Sequence, residues 1–141
     1  QAALDVKGDA EKGKAVYMQS CAVCHQVRGQ YGVAFGPDLG TIHNWKKEDI
    51  LANILDPNLS IMAGYDLWEI ILNNGESLQS IIAAETASAI TIKNMGNFEK
   101  TISRQDIKSL KSLSISAMPG GLEKNIGKEQ MADLIAFLKR N

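Results

Sequence analysis

Cys21-Ala22-Val23-Cys24-His25 decides how the rest of the chain is read. A Cys-x-x-Cys-His run is the attachment sequence of a c-type haem: two thiols add across porphyrin vinyl groups, and the adjacent imidazole becomes an axial ligand of the iron. The spacing follows from geometry. The residues between the cysteines let both sulfurs reach the vinyls on one edge of a flat macrocycle, and the next residue swings beneath the ring with a nitrogen towards the metal. Cys21 and Cys24 are the only cysteines, and the sole remaining imidazole is His43, so a four-ligand zinc ribbon cannot be completed. A thioredoxin-like redox pair shares the Cys-x-x-Cys core, but it expects a βαβ setting that this sequence lacks.

Outward from the motif, the 141 residues suit one domain, 1–141, with room for a core and none for a second large one. Hydrophobic content of 45% and charged content of 22% are those of an ordinary globular chain. A net charge of −1 gives no reason to expect nucleic acid as a partner, and no apolar run is long enough to span a bilayer. The chain opens at Gln1 without an initiator Met or a basic and apolar leader, as a processed or trimmed chain would. Haem attachment of this type takes place outside the cytoplasm, so the expected location is the bacterial periplasm or the extracytoplasmic face of a membrane.

Two helices flank the motif in sequence. Asp9 is placed to N-cap a first helix, with Glu11 near its positive end and Gly13, Val16, Tyr17 and Ser20 on one face, so that this helix runs directly into Cys21. Glycine inside a helix costs about 1 kcal/mol relative to alanine, and close approach of another backbone explains its presence at Gly13. The partner is expected at the other end, where Lys128 to Lys139 carries Met131, Leu134, Ile135 and Leu138 at helical spacing. A third, short helix is predicted from Lys47 to Leu55, ended by Asp56-Pro57.

The turn Gly36-Pro37-Asp38-Leu39-Gly40 follows the motif. Proline removes a donor and fixes φ, and flanking glycines permit a tight turn, so the carbonyls here are held in place without helix or sheet partners. A fixed carbonyl is what a metal-bound histidine needs for its other N–H, and that acceptor is assigned to Pro37.

Residues 65–108 change period. Tyr65, Leu67, Glu69 and Ile71 alternate with Asp66, Trp68, Ile70 and Leu72 up to a hairpin turn at Asn73-Asn74-Gly75. Further strands are expected at Ser77 to Ala84, Ala89 to Lys93 and Phe98 to Ser103, with turns near Glu85 and Thr86 and at Met95-Gly96-Asn97, and a short fifth at Ile107 to Leu110. This insertion reads as a small antiparallel β-sheet or half-barrel.

In order and character, Gly13, Tyr17, Cys21, Cys24, His25, the Gly36 to Leu39 turn, Met118-Pro119 and the helix around Asp133 to Leu138 resemble small class I cytochromes c. The resemblance implies a mainly α fold, a few helices around one haem, here with the 65–108 β insertion. Ile54 to Pro57, the Gly-containing hairpin and Ser116-Ala117-Met118-Pro119 make the chain similar, more narrowly, to the haem-binding domain at the C-terminus of large predicted dehydrogenases in planctomycete-type bacteria. That family often carries a second glycine where this chain has Gln79-Ser80.

The family's methionine before the final helix is its second axial ligand, which here is Met118. A methionine is more often a flexible core filler than a ligand, but Pro119-Gly120-Gly121 pins the backbone just after this one. Met62 and His43 are the rival distal ligands, and Met131 reads as core. Trp45, with His43 and Tyr65 behind it, is the candidate for hydrogen bonds to the haem propionates.

The implied function is one-electron transfer by one covalently attached haem c, with Cys21, Cys24, His25, Pro37, Trp45 and Met118 at the cofactor and His25 and Met118 on the metal. Such a protein is not an enzyme, and could be the electron-accepting module of a dehydrogenase. Its partner would be a redox protein of a dehydrogenase or terminal oxidase chain, met by a lysine patch of Lys12, Lys14, Lys46 and Lys47, and an exposed edge of the insertion offers a route to a homodimer. Two alternatives stand beside it: a haem-based sensor or peroxidase-like protein with an exchangeable distal site, and an interaction module in which the haem only stabilises the fold.

Overall fold

A computed structural model describes residues 2–95 and 98–140, so Gly96 and Asn97 of the expected turn after Met95 lie outside the described residues. The chain divides into two compact units, one formed by residues 1–60 and 119–141 and the other by residues 61–118.

The first unit holds α1 (Ala10–Ser20), α2 (Lys47–Leu55) and α3 (Lys128–Leu138). Asp9 N-caps α1, its side chain accepting from the N–H groups of Glu11 and Lys12, and its own N–H donates to Asp133 Oδ1 at 2.7 Å. This ties the start of α1 to the flank of α3. The helices meet at Gly13, where a Cβ would lie 1.8 Å from the Asp133 carbonyl oxygen. Gly8 has the same relation to the Ala132 carbonyl, at 2.0 Å. The close approach expected at Gly13 is therefore met by α3, and no larger residue fits either position. Around the crossing, Val16, Tyr17, Met131, Leu134, Ile135, Phe137 and Leu138 are buried, and the Tyr17 and Phe137 rings lie 5.3 Å apart. Ile50, Leu51 and Ile54 of α2 complete the core, while Leu55 is 41% exposed.

The second unit is a five-stranded antiparallel sheet: β1 (Asp66–Leu72), β2 (Ser77–Glu85), β3 (Ala89–Asn94), β4 (Phe98–Ser103) and β5 (Ile107–Ser116), in the order β4-β3-β2-β1-β5. β1 and β2 form the expected hairpin, with Ile71 opposite Ser77 and Gly75 at φ 89° in the turn. Alternation sends Ile70, Leu72, Ile90, Ile92 and Ile102 into a separate apolar core. Ser80 is fully buried, and its hydroxyl donates to the Lys93 carbonyl at 2.7 Å.

The sheet is rolled. β4 and β5 occupy opposite edges, yet only the 3-10 turn Arg104–Asp106 separates them. In a flat sheet those edges would lie about 19 Å apart, whereas four peptide steps reach at most about 15 Å. The turn is held by the Asn73 N–H on the Asp106 carbonyl and the Arg104 N–H on the Ser88 carbonyl.

Two sequence expectations are corrected here. The fold is not mainly α: among the described residues three helices and short 3-10 turns stand beside a five-stranded antiparallel sheet of comparable extent, a mixed α and β architecture rather than a class I helical fold with a minor insertion. And β5 runs to Ser116, so most of it lies beyond residue 108 and beyond the predicted end at Leu110. Ile107, Leu110 and Leu113 recur every three residues, a helical spacing that hides a strand; pairing with β1, with shifts in register between Asp66 and Trp68 and between Ile71 and Leu72, makes it one.

Gly13→Ala should lower stability by about 3 kcal/mol, because α1 and α3 must separate to admit a methyl group. Gly120→Ala, with open space around the added Cβ, should change it by less than about 0.5 kcal/mol. Urea denaturation midpoints of the haem-loaded proteins check the contrast.

Candidate haem site

Helix α1 delivers the motif as a continuation of its own last turn. The N–H groups of Cys21 and Ala22 both donate to the Tyr17 carbonyl, and those of Cys24 and His25 to the Cys21 carbonyl. Ala22 is buried in the core, while Val23 between the cysteines is 56% exposed. Both thiols are free and half-buried. Burial, reinforced by the neighbouring Cys24, pushes the Cys21 thiol up to about 11, and burial also raises Cys24.

His25 is held at three points. Its Nδ1 lies 2.7 Å from the Pro37 carbonyl oxygen; because a carbonyl only accepts, Nδ1 carries the proton and the Nε2 lone pair is what remains for a metal. The ring lies against Gly36, where a Cβ would come within 2.6 Å of Cε1. The backbone carbonyl of His25 accepts from the hydroxyl of Tyr17, at 2.7 Å. Burial lowers the imidazole's pKa, against the opposing pull of the Pro37 hydrogen bond and the Asp38 charge. Burial likewise drives the Tyr17 phenol upward, with the Cys21 and Asp38 charges adding to it, so the hydroxyl remains a donor.

The chain from 26 to 40 forms the cradle. Val27 and Gln30 pair across Arg28 and Gly29, which have φ of 51° and 74°. The Asp38 carboxylate accepts three backbone N–H groups, from Arg28 at 2.8 Å, Gly29 at 2.7 Å and Gly40 at 2.7 Å. Burial works against its ionisation, but those three donors and the Arg28 guanidinium outweigh it and hold the carboxyl below the usual carboxylate range. The Leu39 N–H donates to the Gln26 carbonyl, and the Gly36 and Phe35 N–H groups both donate to the Cys24 carbonyl.

The first unit thus brings Cys21, Cys24, His25 and Pro37 together. Trp45 belongs to the same unit, half-buried against its core, with its carbonyl accepting from Lys139 Nζ. His43 Nδ1 lies 2.9 Å from the Gly40 carbonyl oxygen. Of the four lysines read as a patch, Lys14 stands over the Tyr31 ring at 4.4 Å and Lys47 reaches the Leu4 carbonyl. Met118 is the last residue of the second unit, half-buried, its N–H donating to Ser116 Oγ at 3.1 Å. Met62 and Tyr65 lie at the start of that unit, Met62 43% exposed and Tyr65 half-buried. Met131 is core, at 3% exposure. Sequence reading assigned no role to the Tyr17 hydroxyl or the Asp38 carboxylate; their partners are backbone groups, which leave no mark on residue identity.

Among the described residues, no group of three or more His, Cys, Asp or Glu could hold a metal by itself. One imidazole whose Nδ1 is engaged by a carbonyl, next to two cysteines on the same turn that are not paired with each other, is instead the donor set of a covalently bound haem, so the residues present fit that group. Compared with known families, residues 10–141 match the model described as Cytochrome c. No curated protein matches the chain.

Tyr17→Phe keeps the ring but leaves the His25 carbonyl without its donor, and should cost about 1–2 kcal/mol in chemical denaturation. Asp38 has a folded pKa below its unfolded value of about 3.9, so its contribution is present above that pH and is lost as the pH falls through the lower folded value. Acid titration of stability in Asp38→Asn should therefore be shallower below about pH 4 than in the parent.

Proposed function

The chain belongs to the cytochrome c family, and from that premise we propose that it carries one haem c, ligated by His25 and Met118, and transfers single electrons without substrate chemistry. The family implies a haem-binding electron-transfer protein with a covalently held cofactor. The observation that carries the finer reading is the 2.7 Å contact between His25 Nδ1 and the Pro37 carbonyl, beside two free thiols.

The haem, when bound, supplies the Fe(III)/Fe(II) couple. Cys21 and Cys24 hold it by thioether bonds and so prevent its loss. His25 offers Nε2, and the Pro37 carbonyl fixes the tautomer and increases the basicity of the imidazole. Met118 supplies a thioether that favours the reduced state and raises the potential relative to a second histidine. This assignment is supported by the constrained backbone that follows it, Pro119 and then Gly121 at φ 82° leading into the 3-10 turn Leu122–Lys124. Trp45, half-buried against the core of the same unit, would supply an indole N–H to a haem propionate.

Within the family, the Ser116-Ala117-Met118-Pro119 run and the inserted sheet favour the planctomycete-type haem domain and, with it, an electron-accepting role beside a dehydrogenase. The second unit is then the part that meets the partner or a second copy of the chain. No helix among the described residues is long and apolar enough to cross a membrane. The proposed location is the bacterial periplasm or the extracytoplasmic face of a membrane, where such haems are attached.

Absorption spectra of the purified protein test the reading. A sharp α band after reduction, with a weak band near roughly 700 nm in the oxidised form, is expected for Met-sulfur on ferric haem. Met118→Ala should abolish the weak band and leave the covalent haem in place; covalent haem that lacks this band in the parent protein would instead favour a sensor or peroxidase-like protein with an exchangeable distal position.

A further inference from the structure

We infer that Asp38 is a positioning residue for His25, setting the strength of the Nδ1–H to Pro37 hydrogen bond by locking the peptide plane that carries the accepting carbonyl. This inference rests on His25 being the axial ligand. The Pro37 carbonyl carbon is bonded to the Asp38 nitrogen, so rotation of that one peptide unit would swing the acceptor away from the imidazole. The proline ring fixes φ of Pro37 but not its ψ, the rotation that carries this carbonyl, so the plane must be held from the Asp38 side.

The restraint comes from the Asp38 side chain. Its Oδ1 accepts from Arg28 at 2.8 Å and from Gly40 at 2.7 Å, and its Oδ2 accepts from Gly29 at 2.7 Å. One carboxylate thus joins the C-terminal end of its own turn, at Gly40, to the facing loop at Arg28 and Gly29. Arg28 and Gly29 both have positive φ, so their successive N–H groups converge on one anion. A non-glycine residue in that conformation is strained, and Arg28 persists there with a charged acceptor on its N–H. Loop 27–30 leaves the haem motif directly after Gln26, so the carboxylate holds the Pro37 turn against the segment that carries His25 itself. The Leu39 N–H to Gln26 carbonyl bond, at 2.8 Å, closes the same seam from the backbone side. Hydrogen bonds to ionised carboxylates are roughly twice as strong as neutral ones, which makes Asp38 the strongest single tie in it.

The test is exchange of the His25 Nδ1 proton, followed by NMR in the reduced haem-loaded protein and compared with the Ile135 amide in α3 as a reporter of global opening. Asp38→Ala should accelerate Nδ1 proton exchange at least tenfold more than it accelerates the Ile135 amide. Asp38→Asn should fall between parent and alanine variant, because its oxygen can still serve Arg28 and Gly40 while its NH2 faces the Gly29 N–H. If the two probes accelerate in step in both variants, Asp38 is merely structural and the inference fails. If the alanine variant does not take up haem, the asparagine variant alone decides by the same comparison. Parent protein whose His25 is not on the iron would overturn the ligation reading instead, a result visible before any variant is made.

Discussion

The crossing of α1 and α3 at Gly13 is the constraint on which the rest of the first unit depends. With backbone against backbone, the flank of α1 is fixed relative to the Asp133 carbonyl, and no side chain intervenes that could repack. The residue one turn later, Tyr17, is then fully buried against Phe137. From that position its hydroxyl reaches past the end of the helix to the carbonyl of His25. A packing requirement at one glycine is thereby carried along a single helix to the residue that would ligate iron, and the cysteines ride on the intervening turn.

Around the histidine the chain uses polar restraint in place of packing. The imidazole is bounded by Gly36, by the Pro37 carbonyl and, through the main chain, by Tyr17. Two successive residues with positive φ, Arg28 and Gly29, turn the chain back so that the Asp38 carboxylate can gather their N–H groups. The arrangement costs backbone strain at Arg28, offset by a charged hydrogen bond.

The sheet unit is organised by different rules. Its core of isoleucines is separate from that of the helices, and its curvature follows from topology: edge strands joined by a three-residue turn cannot lie flat. Ser80 shows how such a roll accommodates a polar residue at a fully buried position, by returning its hydroxyl to the neighbouring strand's carbonyl.

The sequence by itself determined the haem motif, the helices at 10–20, 47–55 and 128–138, the need for a close partner at Gly13, and the first hairpin, because each is encoded in local spacing, capping or turn chemistry. It also carried the candidate acceptor turn at Pro37, since a proline between glycines leaves carbonyls unpaired. Only the tertiary structure decided the balance of α and β, the extent of β5 and the roll of the sheet. Three apolar residues of β5, Ile107, Leu110 and Leu113, recur every three positions, and a strand of that pattern is defined by its partner β1, not by its own period. The same holds for Tyr17 and for all of Asp38's contacts but the local one to Gly40: they reach main-chain groups eight or more residues away, and main-chain groups are identical in every sequence until the fold brings particular ones within reach.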